Sequence, residues 1–244
     1  MDLKIKDVAN LLNVSESTIR RWVSGGRIPT YRINQHYFFS RTEIENWVIS
    51  HQLDEAGATA SPFIRARQRG VPSTLPSHCS GMGGSKQFSL FRALHKGDVF
   101  HHVKGATTKE EVIYATMRRS AKLLHVDAEL MADLLLDREN LMPTALNHGI
   151  AVPHTRDSLL NAPHDIVILV FLEEPIEYGA LDAEPVHTLF FLFACEDRRH
   201  LHLLAKIAHL SSQRHVREFF QRRPPKEELL AFIKDWEGEI SPGI

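Results

Sequence analysis

Cysteine is scarce in this 244-residue sequence: Cys79 sits in a Ser/Gly-rich stretch and Cys195 at the end of an apolar run. Two such residues support neither a disulfide framework nor a zinc cluster. Uninterrupted apolar runs of about 18 residues are also missing, which excludes a membrane-spanning helix. The first residues lack the basic, apolar and small-residue regions of a secretory signal, so a cytoplasmic location and no membrane insertion are expected. No Walker-type phosphate loop occurs, and neither ATP binding nor any other cofactor is implied. Histidines are plentiful, but His200 and His202 stand two apart, where helical side chains do not face each other, and His101-His102 likewise lacks ligand spacing; no metal is expected. A dominant charge is lacking as well, since the net charge is −1. That balance hides an asymmetry: residues 1–50 hold seven Lys/Arg against five Asp/Glu, and residues 87–244 hold 18 against 23. The two ends should meet different partners.

Hydrophobic residues make up 43% of the chain, enough for one large or two modest cores. Pro62, Pro72 and Pro76 among Gly, Ser and Thr leave residues 54–86 without a sustained apolar period, which predicts a linker. Its Arg65, Arg67, Arg69 and Lys86 form solvated charge within reach of nucleic-acid phosphates. The expected organisation is an N-terminal domain over 1–52, a flexible linker over 53–86, a larger domain over 87–237 and a tail over 238–244.

In the first domain, Val8, Leu11 and Leu12 share one helix face, Asn13 marks a turn, and Ser15 can cap a second helix carrying Ile19, Trp22 and Val23. Gly25-Gly26 closes that helix, residues 31–39 alternate as a small hairpin, and Ser40-Arg41-Thr42-Glu43 reads as a capping box opening a helix through Trp47. The order is helix, helix, wing, helix. The run Val8-Ala9, Leu12, Val14-Ser15, Thr18-Ile19, Arg20-Arg21-Trp22, Gly25, Ile28-Pro29 resembles the winged helix-turn-helix of the excisionase and MerR-like families. The resemblance implies DNA binding, with the start of the second helix in the major groove. Ser17, Thr18 and Arg21 become candidates for base or phosphate contacts, Arg20 stands close by, and Arg27 and Arg32 are candidate backbone contacts. Asn34-Gln35-His36 replaces the Gly/Arg-rich wing turn usual there, and a module of net charge +2 neutralises few phosphates. Useful affinity therefore calls for a homo-oligomer presenting two modules.

In the second domain, Thr108-Lys109-Glu110-Glu111 predicts a capped helix to about Leu124, followed by an amphipathic segment over 127–137. Residues 166–172 and 186–195 are apolar throughout, as in strands buried on both faces, and 198–210 returns to helical spacing. The predicted fold class is α/β, a mixed sheet flanked by helices, with the small winged helix-turn-helix ahead of it.

The run Arg138-Glu139-Asn140-Leu141-Met142-Pro143-Thr144-Ala145-Leu146-Asn147-His148-Gly149-Ile150-Ala151-Val152-Pro153-His154 resembles the active-site sequence of enzyme IIA domains of the fructose/mannitol and nitrogen-regulatory type, from the bacterial phosphotransferase system. Residues 171–176, 186–193 and 199–204 extend the likeness over nearly all of 87–237. It implies that His154 accepts a phosphoryl group from a histidine phosphocarrier protein, that His200 is the second active-site histidine, and that Arg138 lies beside them. Imidazole suits a nucleophile that must load and unload near neutral pH, and a guanidinium fork suits phosphate oxygens. Thr144 is a further candidate phosphate hydrogen bond. The family's two glycines ahead of the closing motif are Ala145 and Asn147 here, and its asparagine is His148, which should reduce backbone freedom near the acceptor. The functional expectation is a phosphotransferase-system regulator in which phosphorylation of His154 modulates DNA binding or a protein target. Two alternatives stand beside it: a sugar-specific enzyme IIA serving a separate IIB/IIC permease, and a DNA-binding protein whose IIA domain is an unphosphorylated scaffold.

Overall fold

The computed structural model describes residues 2–12, 14–33, 36–54, 88–101, 106–155 and 163–240. The linker reading (from residue 55 onward), Asn13, the wing tip Asn34-Gln35, His102 and the last four residues of the tail lie outside them. The N-terminal module opens with strand β1 (Asp2–Lys4), then helices α1 (Ile5–Leu12) and α2 (Glu16–Ser24), strands β2 (Tyr31–Ile33) and β3 (His36–Ser40), and helix α3 (Arg41–Asp54). Ser15 caps α2 by accepting from the Thr18 N–H at 3.2 Å, and Gly26, at φ +62°, turns the chain away from its end. β3 pairs antiparallel with both β1 and β2, so the wing is a three-stranded sheet. β1 was not foreseen; three residues carry too little period to read. Helix α3 runs seven residues past Trp47, through a stretch without Gly or Pro.

The larger domain comprises α4 (Leu90–Lys96), β4 (Val99–His101), α5 (Lys109–Leu124), α6 (Ala128–Leu141), β5 (Ile150–Ala151), β6 (Ile166–Ile176), β7 (Val186–Phe193), α7 (Asp197–Ser212), α8 (Arg214–Gln221) and α9 (Lys226–Ile240). The predicted capping box at Thr108 and Glu111 forms reciprocally, and Asp127 caps α6. The sheet order is β4-β6-β7-β5; the central β6/β7 pair is antiparallel and both outer pairs are parallel. Because side chains alternate along a strand, Ile166, Ile168, Val170 and Leu172 of β6 enter a core shared with α5 and α6, while Val167, Leu169 and Phe171 face the core of α4 and α7 to α9. Helices on both faces thus cover strands that are apolar along their whole length.

The two domains do not sit apart. Helices α1 and α3 pack on α7, and one apolar cluster runs from Val8, Leu12 and Ile44 of the module to Leu201, Leu204 and Ala208 of α7. At the edge of this contact the Arg41 guanidinium lies 2.8 Å from Asp197, the first residue of α7.

Candidate functional site

The segment that carries the acceptor motif is a tight loop fixed at both ends. Leu146 N–H donates to the Ile150 carbonyl at 2.7 Å and Val152 N–H to the Thr144 carbonyl at 3.0 Å. At its tip His148 (φ +67°) and Gly149 (φ +72°) are both left-handed. The sign matters at Gly149, where a Cβ would stand 2.5 Å from the His187 ring. Neither Ala145 nor Asn147 has positive φ, so the glycines of the family pattern are not needed at those two positions, and the expected loss of backbone freedom does not arise there. His148 occupies the strained position instead, where Asn, Asp and His are the side chains most often tolerated, and its N–H donates to Asp182 at 2.6 Å. Asp182, Glu184 and His148 bring three potential ligand atoms within 4.8 Å of one another, an exposed group that ordinary surface charge accounts for.

Beyond β5 the chain continues along the edge of β7: the Pro153 carbonyl accepts from Leu192 N–H, and His154 pairs with Leu192 in parallel register. His154 is 0% exposed. Its Nδ1 lies 2.7 Å from the Val152 carbonyl, which has only lone pairs to offer, so Nδ1 carries the proton and donates. In the neutral ring this leaves the electron pair on Nε2.

Three side chains gather around the His154 ring. His200, in the first turn of α7, has its ring centroid 5.0 Å from that of His154. Arg138, 1% exposed in the last turn of α6, donates from Nη1 to the Met142 carbonyl at 3.0 Å and extends Nη2 inward. The third is Glu45 of α3, contributed by the N-terminal module: its Oε2 lies 3.8 Å from His154 Nε2 and 3.9 Å from Arg138 Nη2, and its Oε1 lies 4.0 Å from His200 Nε2. Arg41 holds the same carboxylate at 3.1 Å. Burial pushes the Glu45 carboxyl up, but His154, His200 and Arg41 outweigh it and hold it at about 2. Burial, reinforced by the neighbouring His154, pushes His200 down to about 3. The cage therefore combines an ionised carboxylate, a neutral His200 and an arginine. Asp165 fixes it from below, binding Arg199 through two oxygens and so locking the turn that presents His200.

Thr144 goes elsewhere. Its hydroxyl donates to Glu139 at 2.6 Å and its N–H to the same carboxylate, stabilising the exit of α6 rather than facing the cage. His202 also points away, stacked on Phe88 at 4.3 Å between ring centroids. On the module, Ser17, Arg20, Arg21, Arg27 and Arg32 are exposed and Thr18 is half-buried. The hydroxyls of Ser17 and Thr18 both lie within hydrogen-bond distance of the capping Ser15. Arg20 pairs loosely with Glu16, the Arg27 carbonyl accepts from the Trp47 indole, and Arg32 lies over Tyr37. Glu45 and Arg41 escaped the sequence reading. The only available sign was that Ile44, Trp47, Val48 and Ile49 surround α3 on more than one side, more apolar surface than a lone surface helix presents.

A mixed four-stranded sheet between two helical layers, preceded by a helix-turn-helix module, is the architecture of an enzyme IIA-type domain fused to a DNA-binding-type module. The family "Phosphoenolpyruvate-dependent sugar phosphotransferase system, EIIA 2" matches residues 92–236, and the chain belongs to it. The family "Helix-turn-helix domain" matches residues 3–52. A Pseudomonas aeruginosa relative named "Nitrogen regulatory protein" is 31% identical over 148 residues, covering 60% of this chain and 95% of the relative. "Transcriptional repressor DcmR" of Methylorubrum extorquens is 36% identical over 83 residues, 33% of this chain and 29% of that protein. Among solved structures, Nitrogen Regulatory Protein IIA-Ntr from Neisseria meningitidis superposes with a TM-score of 0.52 at 24% identity, covering 59% of this chain and 97% of that one, a likeness of fold. Among the described residues no helix is long and apolar enough to cross a membrane.

Proposed function

We propose that this protein is a phosphotransferase-system regulator in which His154 accepts a phosphoryl group from a histidine phosphocarrier protein and thereby modulates DNA binding by the N-terminal module or the engagement of a partner protein. The observation that carries the reading is the His154 ring, held through Nδ1 by the Val152 carbonyl, with the His200 ring beside it and Arg138 meeting the same Glu45 carboxylate that faces Nε2. In the transfer, the Nε2 electron pair forms the new N–P bond while the bond from phosphorus to the donor's histidine nitrogen breaks and its pair returns to that ring. Arg138 supplies positive charge for the phosphoryl oxygens, and His200, neutral at physiological pH, offers a hydrogen bond without adding negative charge. Ser17, Thr18, Arg20, Arg21, Arg27 and Arg32 are the DNA-facing set in this reading, and a homo-oligomer supplies the second module. The nitrogen-regulatory relative and the repressor support regulation over sugar uptake.

Burial of His154 favours one other reading, an enzyme IIA scaffold that is never phosphorylated. Intact-mass measurement after incubation with phosphoenolpyruvate, enzyme I and the phosphocarrier protein separates the two. A single phosphate adduct on the wild-type chain, absent from His154→Ala, is expected; no adduct from a cognate donor overturns the proposal in favour of the scaffold.

A further inference from the structure

We infer that the N-terminal module is the internal occupant of the phosphoryl pocket, with the Glu45 carboxylate standing in for the phosphoryl group, so that docking of the module and phosphorylation of His154 exclude each other. This rests on the reading of His154 as the acceptor. Among the described residues of the helix-turn-helix, Glu45 is the side chain that reaches Nε2, and it does so as an anion, bracketed by His154, His200 and Arg138 at 3.8 to 4.0 Å. A phosphoryl group would be bracketed by the same atoms. Near-attack geometry brings the donor phosphorus to about 3–3.5 Å from the nucleophile. That distance falls within the 3.8 Å separating Nε2 from Glu45 Oε2, which leaves no room for both anions. Nε2 is, moreover, buried without a hydrogen-bond partner, closed to any donor protein while the module is in place.

The contact is built to be specific and reversible. Arg41 joins the two domains, holding Glu45 at 3.1 Å and Asp197 at 2.8 Å, beside the apolar packing of α1 and α3 on α7. A phosphohistidine carrying about −1.5 to −2 charges would face a carboxylate of the same sign in a buried site, and the cheapest relief is withdrawal of α3. Withdrawal is also what first admits the phosphocarrier protein. By linkage, the factor by which docking disfavours the phosphorylated state at equilibrium equals the factor by which phosphorylation weakens docking. Because α2 is exposed in the docked form, docking controls the placement of the recognition helix, not its accessibility.

The test uses the full-length chain. Adduct formation is followed by intact mass in wild type, Glu45→Ala and Glu45→Gln, and hydrogen exchange over 41–54 and 197–204 is compared before and after phosphorylation. The expected result is phosphorylation roughly tenfold faster in Glu45→Ala, because the rate scales with the undocked fraction, with faster exchange in both segments of the phosphorylated wild type. Glu45→Gln keeps the packing and removes the charge, so it decides the case if the alanine variant does not fold. Equal rates in all three proteins, or unchanged exchange on phosphorylation, overturn the internal plug and leave the acceptor reading intact. No adduct on any of them overturns the acceptor reading and the plug with it.

Discussion

His200 is an imidazole kept from its proton by its surroundings: burial first, then His154, lower it from 6.5 to about 3, although Glu45 and Asp197 pull the other way. In the unfolded chain the same ring protonates below pH 6.5, so between about 6.5 and 3 the unfolded state binds the extra proton. Its contribution to stability is therefore complete above 6.5 and declines as the pH falls through that window, by about 1 kcal/mol per pH unit while the two states differ by a full proton. Glu45, held at about 2 instead of 4.5, acts in the same sense, its contribution being present above 4.5 and lost as the pH falls toward 2. Urea midpoints measured from pH 7 to pH 5 should fall more steeply in the wild type than in His200→Gln, which loses this titration but keeps that of the half-buried His187; parallel curves would show that the His200 ring is not held neutral. Much of this cage was legible through the family resemblance, which singles out Arg138 and His154 in one run of the sequence and His200 in another. Thr144, a candidate phosphate contact from the sequence, is engaged locally instead: Glu139, five residues earlier in the last turn of α6, accepts from its hydroxyl. Glu45 was out of reach, because no spacing within one module says which surface of another it will meet.

Among the elements, α4 is the least self-sufficient, with only seven residues, and its start is secured from the far end of the domain. The Glu237 carboxylate of α9 accepts from the Ser89 hydroxyl and the Leu90 N–H at 2.7 Å each and from Phe91 N–H at 3.2 Å, and it receives Lys206 of α7 at 2.6 Å. A single side chain thus serves the orphan donors of α4 and ties three helices together. Glu237→Ala should cost about 2 kcal/mol, a lost cap plus a lysine left with the Phe88 carbonyl as its hydrogen-bond partner, seen as a lower denaturant midpoint with an unchanged slope. His154 phosphorylation should survive it, since these contacts lie away from the cage. The same short elements mark where sequence reading of the fold runs out. β6 and β7 announce themselves as long apolar runs and α5 by its capping box. β1, β4 and β5, at two or three residues, and α4, at two turns, hold too few positions to show any period. Their existence is decided by the strands and helices they pack against.

At the scale of the whole molecule, the docked form keeps the candidate DNA-facing arginines outward while committing one cation of the module inward. Arg20, Arg21, Arg27 and Arg32 are exposed; Arg41 is engaged by Glu45 and Asp197. If the four exposed arginines are the phosphate contacts, one module releases about four counterions through them and they contribute about −3.6 to the slope of log K against log salt, to which Lys4, Lys6 and the linker cations can only add. Two modules tied into one complex on a duplex would double that contribution. The loss of slope on removing one arginine therefore counts modules, and it can be measured on a random-sequence duplex without knowing an operator. A slope steeper than about −4 in the wild type, falling by about 2 in Arg21→Ala because each of two modules loses one phosphate contact, is the outcome expected of a homo-oligomer that binds through α2. A slope near −3 that loses only about 1 in the variant would mean that a single module carries the binding, and a slope indifferent to Arg21 would remove α2 from the interface altogether.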